Sequence, residues 1–203
     1  RQIQSNIINE IESKLQSGYK KIIICAPTGV GKSLVGATVS NYFDSSFTVT
    51  ASKHLQDQYI KDIPFLKPVK GKQNFPCLKL MSAEKVENDR RAMRWGLTCD
   101  KGQCQEKVNK NGKEIVKICD FKPTIKQVED KTHDSASCHY YLQKYDALVS
   151  KHSLWNYHAF FTIMKYNKKL FADYLDRKVT VFDEAHKIED QIIQFVGFDI
   201  FAG

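Results

Sequence analysis

One short stretch, Cys25-Ala26-Pro27-Thr28-Gly29-Val30-Gly31-Lys32-Ser33, constrains this chain more than any other. Before it comes KKIIIC (20–25), a brief apolar run rich in β-branched residues. Such a run reads as a buried strand of a parallel sheet. After it a helix is predicted from Lys32 to about Phe43. Strand, glycine-rich turn and helix in that order form a phosphate cradle. Backbone N–H groups around Gly29 and Gly31 point inward, and the helix N-terminus adds its positive end. The pattern is G-x-x-x-x-G-K-[ST], with Ala26 in place of the first glycine. The predicted cradle is Ala26, Pro27, Thr28, Gly29, Val30, Gly31, Lys32 and Ser33. Lys32 supplies a point charge for β and γ phosphates, and Ser33 a hydroxyl for Mg²⁺. Cys25, at the strand end, reads as a buried core thiol.

The surrounding rhythm agrees with that cradle. Ile3, Ile7, Ile8, Ile11 and Leu15 predict an amphipathic helix over 3–16, ended by Ser17-Gly18. SFTVTA (46–51) predicts a second strand, and Leu55, Tyr59, Ile60 and Ile63 a helix after it. DALVSKH (146–152) reads as a strand, Leu154 to Met164 as a helix, and KVTVF (178–182) as a buried strand. Alternating strands and helices predict an α/β fold with a parallel sheet.

A second acidic motif closes the pattern. VTVFDEAH (179–186) sets Asp183 and Glu184 at the C-terminal end of a predicted strand. That edge of an open α/β sheet is where ligands bind. Asp183 is the candidate Mg²⁺ holder, directly or through water, and Glu184 the candidate general base for an attacking water. The plain alternative is an acidic first turn of a helix.

From Pro64 to Ser137 the rhythm breaks. The segment is polar and lysine-rich, with Pro64, Pro68, Pro76 and Pro123 as breakers. A structureless loop of that length is improbable in a compact domain. It is either disordered or folded by something other than an apolar core. Six cysteines stand at 25, 77, 99, 104, 119 and 138, and five of them fall between 77 and 138. A chain of 203 residues, 42% hydrophobic, has no need of disulfides to stabilise a small core. The clustering points to a metal or cluster site. The formal charge of +8 points to a polyanionic partner, nucleic acid first. The alternative is a merely soluble basic protein. No apolar run approaches the roughly 18 residues that cross a bilayer. The start at Arg1 and the end at Gly203, soon after the acidic motif, read as a piece cut from a longer protein.

Asp183-Glu184-Ala185-His186 is the DEAH box, and A-x-T-G-x-G-K-S is the form of the cradle seen in superfamily 2 helicases. The cysteines choose the branch. Gly71-Lys72-Gln73-Asn74-Phe75-Pro76-Cys77 resembles the G-[RK]-x-N-x-x-C signature of the XPD/DinG family of iron–sulfur DNA helicases. Cys138-His139-Tyr140-Tyr141 resembles its C-P-Y-F helix start, with His in place of Pro. The layout from there to the DEAH box is also similar, including LQKY and the Tyr157-His158 pair. The resemblance covers essentially the whole chain.

The resemblance implies a RecA-like motor lobe over 1–63 and 139–203, interrupted by an iron–sulfur insert over 64–138. It implies ATP as substrate, with Mg²⁺ and a 4Fe–4S cluster as cofactors, and 5′-to-3′ movement on single-stranded or forked DNA. Such a protein would be a monomer working in the cytoplasm, nucleoid or nucleus, alongside repair or replication proteins. Arg1 and Gln4 resemble the R-x-x-Q opening of these domains, in which the Gln reads adenine. Thr50-Ala51-Ser52-Lys53 sits where such helicases touch the DNA backbone, so Thr50, Ser52 and Lys53 are implied DNA contacts. The implied cluster ligands are Cys77, Cys104, Cys119 and Cys138, with Cys99 competing for the second place. A Cys₄ zinc site is the rival, although no C-x₂-C pair exists here.

Lys107, Lys110, Lys113, Lys117, Lys122 and Lys126 make the insert basic, and with the resemblance this implies an insert beside the DNA path; the alternative is a solvated lysine face. Among the aromatics, Phe160 and Phe161 read as core, while Trp155 and Tyr157 stay open as stacking faces, with Tyr157 the DNA candidate. His186 is the histidine expected to couple the nucleotide site to a second lobe. That lobe and its arginine finger are expected beyond Gly203, so this chain alone should hydrolyse ATP poorly. The rival function is a zinc-containing P-loop switch that binds nucleic acid without unwinding it; an RNA helicase is the third.

Overall fold

A computed structural model describes residues 2–27, 29–110 and 113–197, apart from the side chain of residue 110. The elements run α1 (Gln2–Gln16), α2 (Lys32–Tyr42), β1 (Ser46–Thr50), α3 (Lys53–Asp62), β2 (Lys67–Val69), α4 (Leu78–Ala83) and α5 (Asp89–Arg94). They continue with β3 (Gln105–Lys110), β4 (Lys113–Ile118), α6 (Ile125–Glu129), α7 (His139–Val149) and β5 (His152–Asn156). The last are α8 (Tyr157–Tyr166), α9 (Ala172–Leu175), β6 (Val179–Phe182) and α10 (Ile188–Val196). The chain divides into two compact units, one of residues up to Lys67 and from Lys151 onward, the other Pro68–Ser150.

The first unit is α/β, built on a parallel sheet in which β1 lies between β5 and β6. β1 runs parallel to β5, with Ser46 opposite His152, and parallel to β6, with Ser46 opposite Val179. Its five residues are all buried, as a strand with neighbours on both edges requires. Alternation then sorts them. Phe47 packs edge-on against Trp155 and Phe160, at 6.0 and 5.6 Å between ring centres. On the other face the hydroxyls pair: Thr48 with Ser40 at 3.0 Å, and Ser46 with His152 Nδ1 at 3.0 Å. A period of two puts apolar and hydroxyl side chains on opposite faces.

Five expectations of the sequence fail here. Residues 20–25 form no strand: Ile23 is 94% exposed, Ile24 is exposed, and Cys25 is an exposed thiol rather than a core one. A run of three isoleucines has no strand without a neighbour to complete its ladder. Correspondingly β6 pairs only with β1 among the described residues and is half-buried, not buried. Residues 146–149 belong to helix α7, and the strand starts at His152. Residues 154–156 are therefore strand, and helix begins only at Tyr157. The switch is made by Asn156, whose side chain accepts the Ala159 N–H at 2.8 Å.

The second unit carries helices and strands along its described residues. It has a small apolar core of Met81, Val86 and Ala92, with Leu78 and Leu97 against it. This corrects the expectation that no apolar core folds the segment. An isolated bridge joins Pro76 and Thr98, and β3 and β4 form an antiparallel hairpin with Gln105 opposite Ile118. Thr124 and Gln127 close a reciprocal cap on α6. The unit also takes in α7.

Candidate functional site

The cradle sits at the head of α2. Gly31 is its N-cap, at φ 84°, and Gly29 lies at φ 81°. Both are left-handed conformations that side chains resist, which is why glycine holds these two positions. Gln4 of α1 donates from Nε2 to the Val30 carbonyl at 2.9 Å, and a Cβ on Gly31 would collide with that amide. Gln4 thus braces the loop backbone in this structure. Lys32 is exposed and donates to the carbonyls of Ala26 and Pro27, each at 3.0 Å. Arg1 and Thr28, both assigned roles from the sequence, lie outside the described residues.

The acidic motif arrives from the other end of the chain. Asp183 follows β6, its N–H donating to the Val49 carbonyl at 2.8 Å. Ser33 Oγ lies 3.3 Å from Asp183 Oδ2 across 150 residues. The two candidate Mg²⁺ holders are therefore adjacent, and a hydroxyl beside a carboxylate is an oxygen donor set that suits this hard cation. Glu184 takes a left-handed backbone at φ 53°, and its carboxylate pairs with Lys187 at 2.5 Å. His186 is exposed.

Two tyrosines that the sequence reading did not place here complete the site. Tyr59 donates its hydroxyl to Asp183 Oδ2 at 2.9 Å, and Tyr157 donates to the Asp183 carbonyl at 3.1 Å. Burial, then the nearby carboxylates, push the Tyr157 phenol up to about 12 and the Tyr59 phenol higher still. Both stay protonated donors at neutral pH. The one signal available in the sequence was that a tyrosine on an apolar stripe needs a partner for its hydroxyl.

Tyr157 is fully buried and stacked on Phe182, so no base reaches it in this structure. Trp155 is likewise core, as is Phe160, whereas Phe161 is only partly buried. Thr50 is fully buried too, which removes it as a backbone contact. Ser52 caps α3, accepting the Leu55 N–H at 3.2 Å. Lys53 is exposed.

In the second unit Cys77, Cys99, Cys104, Cys119 and Cys138 all line one small cavity, with Phe121 and Tyr141. Local structure explains the convergence. The Pro76–Thr98 bridge brings Cys77 and Cys99 together, with Cys77 N–H on Leu97 O and Cys99 N–H on Phe75 O. At the hairpin base the Cys119 N–H donates to the Cys104 carbonyl at 3.1 Å. Cys138 caps α7, its N–H on Phe121 O at 2.7 Å. Cys99 and Cys138 bring their sulfurs to 3.8 Å. The Cys99 thiol and the backbone N–H groups of Tyr141 and Tyr140 pull the Cys138 thiol down to about 6, while its partner Cys99 is pushed up. Lys72 Nζ lies 3.9 Å from Cys104 Sγ, and Lys122 stands 4.7 Å over the Tyr141 ring. Burial, then Lys122 and Lys72, lower Lys144 to about 8.

Thiols lined with cations form a donor set of the kind that holds soft metals or iron–sulfur clusters. Among the described residues no group of three or more His, Cys, Asp or Glu is arranged to hold a single metal ion. Of the lysines expected to face DNA, Lys107 pairs with Glu114 at 2.6 Å and Lys117 with Asp120 at 3.9 Å. Lys113 and Lys126 are exposed, and the side chain of Lys110 is outside the described residues.

No helix among the described residues is long and apolar enough to cross a membrane. No curated protein matches the chain. The model of the ResIII family, described as "Type III restriction enzyme, res subunit", matches residues 1–199. The chain therefore belongs to the ResIII family, and its α/β unit is a helicase-type, ATP-dependent motor domain.

Proposed function

We propose that the chain is the first motor lobe of an XPD/DinG-like DNA helicase, its lobe interrupted over 64–138 by an insert that carries a 4Fe–4S cluster. On this reading the whole protein moves 5′-to-3′ on single-stranded or forked DNA as a monomer in DNA repair or processing, and a second lobe completes its hydrolytic site. The observation that carries the motor reading is the meeting of Ser33 and Asp183 at 3.3 Å. The observation that supports the cluster is the single cavity lined by five cysteines. Four of them, Cys77, Cys104, Cys119 and Cys138, would hold it, with Cys99 beside them.

The chain's own groups then divide the work. Backbone N–H groups from Gly29 to Lys32 hold phosphate oxygens, and Lys32 leaves the Ala26 and Pro27 carbonyls for the β and γ phosphates. Ser33 and Asp183 would hold Mg²⁺, which when bound neutralises charge on those phosphates. Glu184 accepts the proton of the attacking water once its carboxylate is released from Lys187. Cys77, Cys104, Cys119 and Cys138 tie four separate segments of the insert to one point. A bound cluster would supply rigidity there and a redox-active centre. Of the lysines assigned to DNA, the exposed Lys53, Lys113 and Lys126 would meet the nucleic-acid backbone.

One distance favours a second reading. Tetrahedral thiolates on zinc at about 2.3 Å stand about 3.8 Å apart, which is the Cys99–Cys138 spacing. On that reading the chain is a zinc-containing P-loop switch that binds nucleic acid without unwinding it. A fluorescent ATP analogue and labelled single-stranded DNA and RNA test the motor reading. Mg²⁺-dependent nucleotide binding, with DNA preferred over RNA, is expected; a preference for RNA would replace the DNA helicase with an RNA one.

A further inference from the structure

Tyr59 lies in the core of the first unit, 2% exposed, clustered with Ala37, Ile63, Leu66 and Leu154. A phenylalanine would satisfy that packing equally well. The hydroxyl meets something else: it donates to Asp183 Oδ2 at 2.9 Å. The same oxygen faces Ser33 Oγ at 3.3 Å, while Oδ1 accepts the Glu184 N–H at 3.0 Å. The backbone of Asp183 is fixed at both ends as well, its N–H on Val49 O and its carbonyl under the Tyr157 hydroxyl. The carboxylate is thus held in one orientation, turned toward the hydroxyl of the phosphate cradle.

We infer that Tyr59 is a positioning residue for Asp183, aiming its carboxylate at the metal of a bound nucleotide. The inference rests on the ATP-site reading above. Each carboxylate oxygen has two lone pairs. On Oδ2 the buried phenol takes one, and the other, which accepts the Ser33 hydroxyl here, is left for a metal once Ser33 turns its own oxygen to that metal. A hydrogen bond to a charged acceptor is also stronger than a neutral one, so the phenol holds the rotamer firmly. Partners that orient metal-binding groups typically change metal affinity by about 10- to 100-fold when removed. Tyr157 holds the peptide rather than the carboxylate and is expected to matter less for the metal.

The test is Tyr59→Phe in the whole chain, with Mg²⁺ titrated against binding of a fluorescent ATP analogue. The half-saturating Mg²⁺ concentration should rise about 10-fold, while nucleotide affinity in EDTA stays at the wild-type value. Ile63→Ala, in the same apolar cluster, should lower thermal stability and leave the Mg²⁺ midpoint alone. A Tyr59→Phe midpoint equal to wild type overturns the inference. So does a loss of affinity in EDTA, which would place Tyr59 on the phosphate cradle, or an Ile63→Ala midpoint shifted as far as that of Tyr59→Phe. A wild-type chain with no Mg²⁺-dependent binding overturns the ATP-site reading and this inference with it. A wild-type chain that binds, beside an unaltered Tyr59→Phe, removes only the role of Tyr59.

Discussion

Lys32 rests on two carbonyls of its own loop, each 3.0 Å away. Phosphate oxygens are better acceptors for an ammonium than peptide carbonyls, so nucleotide entry should draw it off them. Lys32→Ala should therefore weaken ATP-analogue binding by about 10- to 100-fold, the worth of a hydrogen bond to a charged group. Equal binding by wild type and variant in a fluorescence titration would show that the loop is not a phosphate cradle. Lys53 is the exposed member of its turn, since Thr50 is buried and Ser52 is spent on capping α3. Lys53→Glu should lower single-strand affinity and reduce the salt slope by about one; an unchanged slope would remove this turn from the DNA path. At this scale the sequence was legible where spacing sets geometry: Gly29 and Gly31 take the left-handed backbone of a tight loop, and Ser33 meets Asp183. It was silent on Tyr59 and Tyr157, because an apolar stripe hides what a phenol's tip touches. It also over-read Tyr157, whose aromatic face is used up inside the core.

Helix α8 exists where it does because Asn156 caps it. Asn156→Ala should cost about 1 kcal/mol in stability, read as a lowered denaturation midpoint; no change would mean that β5 alone sets the boundary. The same cap explains a misplaced helix start, since periodicity over 154–164 does not register a polar residue that ends a strand. β1 was legible because its five residues carry a strong β-branched and aromatic pattern. The run at 20–25 has that pattern as well, but pairing is a property of two segments and one segment's composition does not supply it. Cys25 measures the outcome. As an exposed thiol it should react with iodoacetamide well before the buried Cys99 and Cys138. Protection of Cys25 equal to that of Cys99, mapped by mass spectrometry, would mean that the segment is held in a strand.

The whole chain is two compact units with different means of cohesion. The first buries a hydrophobic sheet and helices, and its class followed from the alternation of strands and helices around two nucleotide motifs. The second has a core of a few apolar side chains and a cavity that collects five cysteines from segments up to 61 residues apart, Cys77 to Cys138. The flanks of Cys77 and Cys138 suggested bounds of 64–138, whereas the compact unit is Pro68–Ser150 and includes α7. Asn111-Gly112 between QEKVNK and KEIVKI is a two-residue hairpin signal and was legible in the sequence. The bridge that brings Cys99 to the same cavity was not, because a single pair, Pro76 and Thr98, leaves no run of strand-forming residues. If these thiols hold the proposed iron–sulfur cluster, then iron, acid-labile sulfide and zinc measured per chain after anaerobic purification will give about four irons and about four sulfides; stoichiometric zinc without sulfide would contradict the cluster and leave the P-loop switch as the function of this chain.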